Sequence, residues 1–298
     1  MRGPASVRAG EGVRHAAYGA GWRTAAADGG TLYGMTETWD VRRAGPADAE
    51  RRVLMIPGGM CTTEFYAEIM AEPALAALEL TAVTMPGFGP TRAPADVTMD
   101  NYAQLLAGRA AEARSDVVVG HSLGANVAIE MAAAGLFTGP LVLLSPTFSR
   151  GDEATFLAVM DVLGRVPVLG SLVWSGMLKL LPKAMKKDMA RSLPPERAQA
   201  LAEVLGSNDP ATCRRIVRRY YEYLDRHRAL VTRLCASGVP AWVVRGDHDE
   251  IGLTDAERDE LVACPHIRMV TVPDAGHLLL VEQPARVAEV VLAASRSL

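Results

Sequence analysis

The four cysteines of this 298-residue chain include no Cys-X-X-Cys pair, so no zinc-ligand set or disulfide framework can be read from their spacing. Cys61, Cys213, Cys235 and Cys264 are expected to be reduced thiols of a cytoplasmic protein. No apolar run approaches the ~18 residues of a membrane span before Gly, Pro or a charge interrupts it. Arg2, Arg8 and Arg14 have no apolar stretch between them, so no secretory signal is read. Positive charge is not in excess. Lys and Arg number 31 against 34 Asp and Glu, a net charge of −3, which removes nucleic acid from the expected partners. Internal repeats and low-complexity segments are also missing.

The remaining composition is that of a globular protein, 49% hydrophobic and 22% charged. Its length suits one domain with an insertion. Short apolar runs, bounded by Gly and Pro, read as buried strands: Arg52–Ile56, Leu80–Met85, Asp116–Val119, Pro140–Ser145, Ala241–Arg245 and Ile267–Val272. Thr31–Val41 alternates as an edge hairpin or strand pair would. Helices are predicted over Phe65–Leu78, from an Asp100 N-cap to about Arg114, over Asp255–Ala263 and over Pro284–Ser297. Strands alternating with helices imply a mostly parallel, doubly wound α/β sheet covered on both faces. In such sheets chemistry gathers in the loops beyond the strands' carboxyl ends.

Between residues 148 and 235 the alternation stops and the pattern is helical throughout. This segment is predicted to be an inserted all-helical cap, with residues 29–147 and 236–298 forming the core and 1–28 a weakly ordered lead-in. The cap carries 15 Lys and Arg against 9 Asp and Glu, so it is basic by six charges and the rest of the chain is acidic by nine.

The most informative stretch is Gly120-His121-Ser122-Leu123-Gly124. With 12 serines and 27 glycines, chance supplies roughly 0.1 Gly-X-Ser-X-Gly matches, so the pentapeptide alone is only suggestive. Its setting strengthens it: an apolar strand precedes and an apolar helix follows. A serine at the apex of such a turn is strained, and small residues on both sides avoid collision. A serine hydroxyl needs a base to act as a nucleophile, and the base needs an orienting group. Among six histidines, His277 follows the last strand in Pro273-Asp274-Ala275-Gly276-His277. Asp249, ahead of Asp247, is the candidate acid in the loop after the preceding strand.

With these three motifs the chain resembles the α/β-hydrolase family. Ser122, Asp249 and His277 occur in that family's order. The resemblance implies an oxyanion hole made by the Leu123 N–H and by Gly59 or Met60, in Pro57-Gly58-Gly59-Met60 where many relatives have His-Gly. Gly87-Phe88-Gly89 resembles the family's Gly-X-Gly loop and is not a nucleotide fingerprint. Phe88, His121, Trp174, Met177 and Leu278 are the residues expected to face substrate. The implied reaction is hydrolysis of an apolar ester, lactone or thioester through an acyl-enzyme, with neither cofactor nor metal. The partner is a small apolar substrate, and the basic cap face admits an acyl carrier or a coenzyme A thioester. Two other classes remain open. One is carbon–carbon hydrolysis, a lyase or cofactor-free oxygen or perhydrolase chemistry on the same scaffold. The other is a ligand-binding protein that kept the fold.

Overall fold

A computed structural model describes residues 23–24, 29–32, 35–152, 155–166 and 169–298. Most of the expected lead-in, residues 1–28, lies outside them. Strands β1 (Arg23–Thr24), β2 (Gly29–Leu32), β3 (Met35–Thr38) and β4 (Val41–Ala44) open the described chain. β2 and β3 pair with each other as a separate antiparallel ribbon, the edge hairpin expected from the alternation. The main strands are β5 (Arg52–Ile56), β6 (Glu79–Val83), β7 (Val117–His121), β8 (Leu141–Leu144), β9 (Ala241–Gly246) and β10 (Ile267–Val272). With β1 and β4 they form one eight-stranded sheet in the order β1-β4-β6-β5-β7-β8-β9-β10. All six main strands run parallel; at one edge β4 runs antiparallel to β6, and β1 antiparallel to β4.

The strands read as continuous apolar runs because both faces are covered. Leu54, Ile56 and Val118 point into an apolar cluster with Tyr102 and Leu106 of α2 (Met99–Glu112) and Val127 of α3 (Leu123–Ala133). Val53, Met55, Val117 and Val119 point the other way, among Phe65, Tyr66 and, from the C-terminal helix Pro284–Ser295, Val287 and Val291. Burying each such aliphatic side chain contributes about 1.5–3 kcal/mol.

Three expectations are corrected. The predicted helix Phe65–Leu78 is two 3-10 turns flanking Ala67–Met70, because Pro73 cannot continue the helix. The N-cap of α2 is Thr98, whose hydroxyl accepts the Asn101 N–H, and Asp100 sits inside the first turn. Cys235 and Cys264 are not free thiols: they form a disulfide, with Cα atoms 6.0 Å apart. Cys61 and Cys213 are buried free thiols, and burial pushes both up to about 12.

The described residues between β8 and β9 form five helices: α4 (Thr155–Gly164), α5 (Leu169–Met189), α6 (Pro195–Gly206), α7 (Pro210–Arg226) and α8 (Leu230–Ser237). α8 packs on α3 and on α9 (Asp255–Ala263), alongside the sheet, so the part without a place in the sheet's helical layers is α4–α7. No helix among the described residues is long and apolar enough to cross a membrane.

Candidate active site

The turn after β7 is tight and strained at its apex. Ser122 has φ 49° and ψ −119°, a left-handed conformation that L residues rarely adopt. A Cβ on Gly120 would fall 2.5 Å from the Gly124 carbonyl oxygen, and one on Gly124 would fall 2.4 Å from that of Ile56. The first glycine therefore spares the elbow's other arm, as its spacing suggests. The second spares the neighbouring strand β5. Ser122 is anchored by its N–H, which donates to the Leu144 carbonyl at 2.8 Å. Its hydroxyl makes no hydrogen bond to any described group.

Asp249 and His277 meet, although 28 residues separate them: Nδ1 of His277 lies 3.1 Å from Oδ1 of Asp249. The same carboxylate oxygen accepts the Ile251 N–H at 3.0 Å. The Asp249 side chain is 1% exposed. Burial raises its pKa, but the hydrogen bond and charge of His277, together with Ser145 and the Ile251 N–H, outweigh burial and bring it down to about 2. Buried Arg245 steadies this turn by donating to the Pro146 and Ile251 carbonyls. Asp247 instead accepts the Ala275 N–H at 3.2 Å, tying the turn to the His277 loop.

His121, expected to face substrate, is 1% exposed and sits under the His277 loop. Its Nε2 is 2.9 Å from the His277 carbonyl oxygen, and the two rings are 5.0 Å apart between centroids. A carbonyl can only accept, so Nε2 carries the proton. Burial and the neighbouring His277 bring the His121 pKa down to about 3. The ring therefore fixes the backbone of residue 277 to the residue adjoining Ser122. Because the unfolded chain takes up a second ring proton near pH 6.5 and the native chain does not, stability should decline as pH falls from 6.5 toward 3, by several kcal/mol. Denaturant unfolding at stepped pH should show this decline, and His121→Gln, which keeps the donor and cannot titrate, should flatten it.

The loop after β5 completes the site. A Cβ on Gly58 would lie 3.2 Å from the Ser122 Cβ, and one on Gly59 would lie 3.5 Å from Leu123 Cδ2. The Cys61 N–H donates to the Gly58 carbonyl at 3.2 Å, closing a turn whose third residue, Met60, has φ 65°. No described group accepts the N–H of Gly59 or Met60. The Leu123 N–H begins α3 and has no intrahelical acceptor.

Sequence reasoning missed Asn208, in the linker between α6 and α7. It is 5% exposed, donates to the Met60 carbonyl at 2.9 Å and accepts the Gly89 N–H at 3.0 Å. One amide side chain thus pins two loops, each holding a positive-φ residue. Gly206-Ser207-Asn208-Asp209-Pro210 carries only the signal of a loop.

Of the other residues expected near substrate, Phe88, Trp174 and Met177 are buried in one apolar cluster with Leu123, and Leu278 in the cluster on the sheet's other side. Elsewhere, ligand atoms of Asp100, Glu130 and His227 lie within 4.8 Å of one another. Arg226 already binds Asp100 at 3.0 Å and Arg233 binds Glu130 at 2.8 Å, so this trio is charge-compensated without a cation.

A family model described as the alpha/beta hydrolase family matches residues 53–290. The chain belongs to the alpha/beta hydrolase family. Solved structures agree on the fold. This alpha/beta hydrolase is similar to the thioesterase domain from the curacin biosynthetic pathway, at 17% identity over 92% of this chain and 100% of that one, with a TM-score of 0.65. It is similar to a thermophilic esterase from Thermogutta terrifontis, at 19% identity over 93% and 99%, with a TM-score of 0.66. It is also similar to the enol-lactonase from Burkholderia xenovorans, at 17% identity over 91% and 99%, with a TM-score of 0.67. No curated protein matches it significantly.

Proposed function

We propose that this alpha/beta hydrolase is a serine hydrolase that cleaves an ester, lactone or thioester with an apolar acyl or alcohol part. The observation that carries the reading is the His277–Asp249 hydrogen bond, with His277 held against the elbow residue next to Ser122. Ser122 attacks the carbonyl carbon and His277 Nε2 takes its proton. The negative charge on the former carbonyl oxygen is held by the Leu123 N–H and by that of Gly59 or Met60. His277 passes the proton to the leaving group, and the acyl-enzyme forms. Water then gives its proton to His277 and attacks the ester carbon, and the acid departs as Ser122 regains its hydrogen. Asp249 keeps the imidazole in the tautomer with hydrogen on Nδ1 and stabilises its charge. The chemistry calls for no cofactor or metal.

The apolar substrate follows from the insertion, which acts as a cap. Trp174 and Met177 share one apolar cluster with Phe88 and Leu123, beside the elbow. A thioester on coenzyme A or an acyl carrier suits the basic cap face. The neighbours named above act on thioesters, esters and lactones, which suits the same chemistry at the level of the bond cleaved.

A fluorophosphonate probe tests the assignment. The intact protein is expected to be labelled on Ser122, as mapped by peptide mass spectrometry. Labelling confined to another residue, or none, would reject it.

Asn208 gives a separate expectation. Asn208→Ala leaves a buried acceptor on Met60 and a donor on Gly89 without partners, each costing about 1–3 kcal/mol. Met60 then relaxes from its left-handed conformation. Stability should fall by about 2–4 kcal/mol and kcat for a p-nitrophenyl ester by roughly 10- to 100-fold, with KM changing less. Thermal melting and steady-state kinetics at a temperature well below the variant's Tm measure the two effects.

A further inference from the structure

The hydrolase reading leaves unused a cavity of about 540 Å³ in the insertion. Its walls come from the C-terminal turn of α4, from Trp174 of α5 and from the first half of α7. Arg214, Arg215 and Arg218 recur at helical spacing, so one face of α7 turns toward the cavity, and Arg165, just after α4, adds a fourth guanidinium. Asp161 is the one carboxylate among the lining residues, which leaves an excess of three positive charges. Asp161 binds Arg165 at 2.7 Å but is shared with Arg150 at 3.2 Å. Arg218 is paired outside the cavity with Glu222, which also serves Arg219. Arg214 and Arg215 have only neutral hydrogen-bond partners, the Ser171 hydroxyl at 3.1 Å and the Pro94 carbonyl at 3.2 Å.

Guanidiniums gathered in one cavity repel each other unless an anion answers them. A single carboxylate would balance one of the two guanidiniums, Arg214 and Arg215, that have no acidic hydrogen-bond partner. A phosphate or diphosphate group balances two or more, and its oxygens match the forked donors of arginine. The volume lies in the range of small-ligand pockets and leaves room beyond the anion for an organic part against Val166.

We propose that this arginine-lined cavity binds the phosphate or diphosphate group of a phosphorylated ligand. Thr212, which also lines the cavity, packs on the loop that holds Phe88: its Cγ2 lies 3.3 Å from where a Cβ on Gly87 would fall. That the ligand is the phosphorylated portion of the substrate rests on the hydrolase reading. The binding itself does not.

Titration calorimetry at constant ionic strength with sodium pyrophosphate, and separately with coenzyme A, tests this on the wild type and on Ser122→Ala. Saturable one-site binding of both is expected, equal in the two proteins. The double variant Arg214→Ala/Arg215→Ala should weaken it at least tenfold. Arg219→Ala, on the same helix but outside the cavity, should leave it within twofold. Arg214→Lys/Arg215→Lys keeps the charge without the fork and, as the variant least disturbing to the fold, should still lose at least threefold. Absence of saturable binding by either probe, or equal weakening by Arg219→Ala, would overturn the proposal. Binding without ester hydrolysis would sink the hydrolase reading alone, and hydrolysis without binding would sink this one alone.

Discussion

Alanine at Ser122 is expected to lower kcat for p-nitrophenyl ester hydrolysis by about 10⁴- to 10⁶-fold while leaving the fold intact. The change removes one oxygen atom, and that hydroxyl makes no hydrogen bond to a described group. Backbone strain at φ 49° is the same for alanine as for serine, so it gives no reason for the elbow to relax. The melting temperature should therefore move little, and a scan alongside the kinetics separates lost chemistry from lost structure. The residual rate is that of water attack in a site that still stabilises the oxyanion. Retention of even one-hundredth of the wild-type kcat by a homogeneous, folded Ser122→Ala protein would end the nucleophile assignment.

Asn at position 249 should cost about 10³- to 10⁴-fold in kcat, because an amide can present its NH₂ to Nδ1 and stabilise the wrong imidazole tautomer. The carboxylate also has a share in stability. Its folded pKa of about 2 lies below the ordinary 3.8, so its contribution is present at pH above 3.8 and is lost as pH falls through about 2. A shift of that size corresponds to something on the order of 2 kcal/mol. Chemical denaturation should find a gap between wild type and Asp249→Asn that narrows as pH falls below 4. A fall in kcat of less than tenfold would hand the orienting role to another group.

The sheet was largely legible because buried parallel strands must be short and apolar throughout, and each run between Arg52 and Val272 appears as a strand within a few residues of its expected ends. The Gly-X-Ser-X-Gly turn was legible because its glycines answer a steric demand that acts locally. The turn after β9 offers two acids, Asp249 ahead of Asp247, and the hydrogen bond of His277 goes to Asp249. Features set by distant partners were not legible. Cys235 and Cys264 are 29 residues apart, and only the packing of α8 on α9 brings them together. Asn208 looks like any loop asparagine until the insertion folds onto residues 60 and 89. His121 is expected to face substrate, yet it ends β7, where successive side chains take opposite faces, and its ring hydrogen-bonds the backbone of the His277 loop.

The position of α8 has a consequence for how such a molecule can change. β8 and β9 are paired neighbours, and a parallel pair requires one returning helix between them. α8, packed on α3 and α9, meets that requirement by itself. The four helices before it are therefore not needed to return the chain to β9, and side chains tie them to the core, through apolar packing and hydrogen bonds that include the two of Asn208. An insertion of another length could keep the strand register beneath it, but only one that again supplied a partner for residues 60 and 89 would keep those two loops in place.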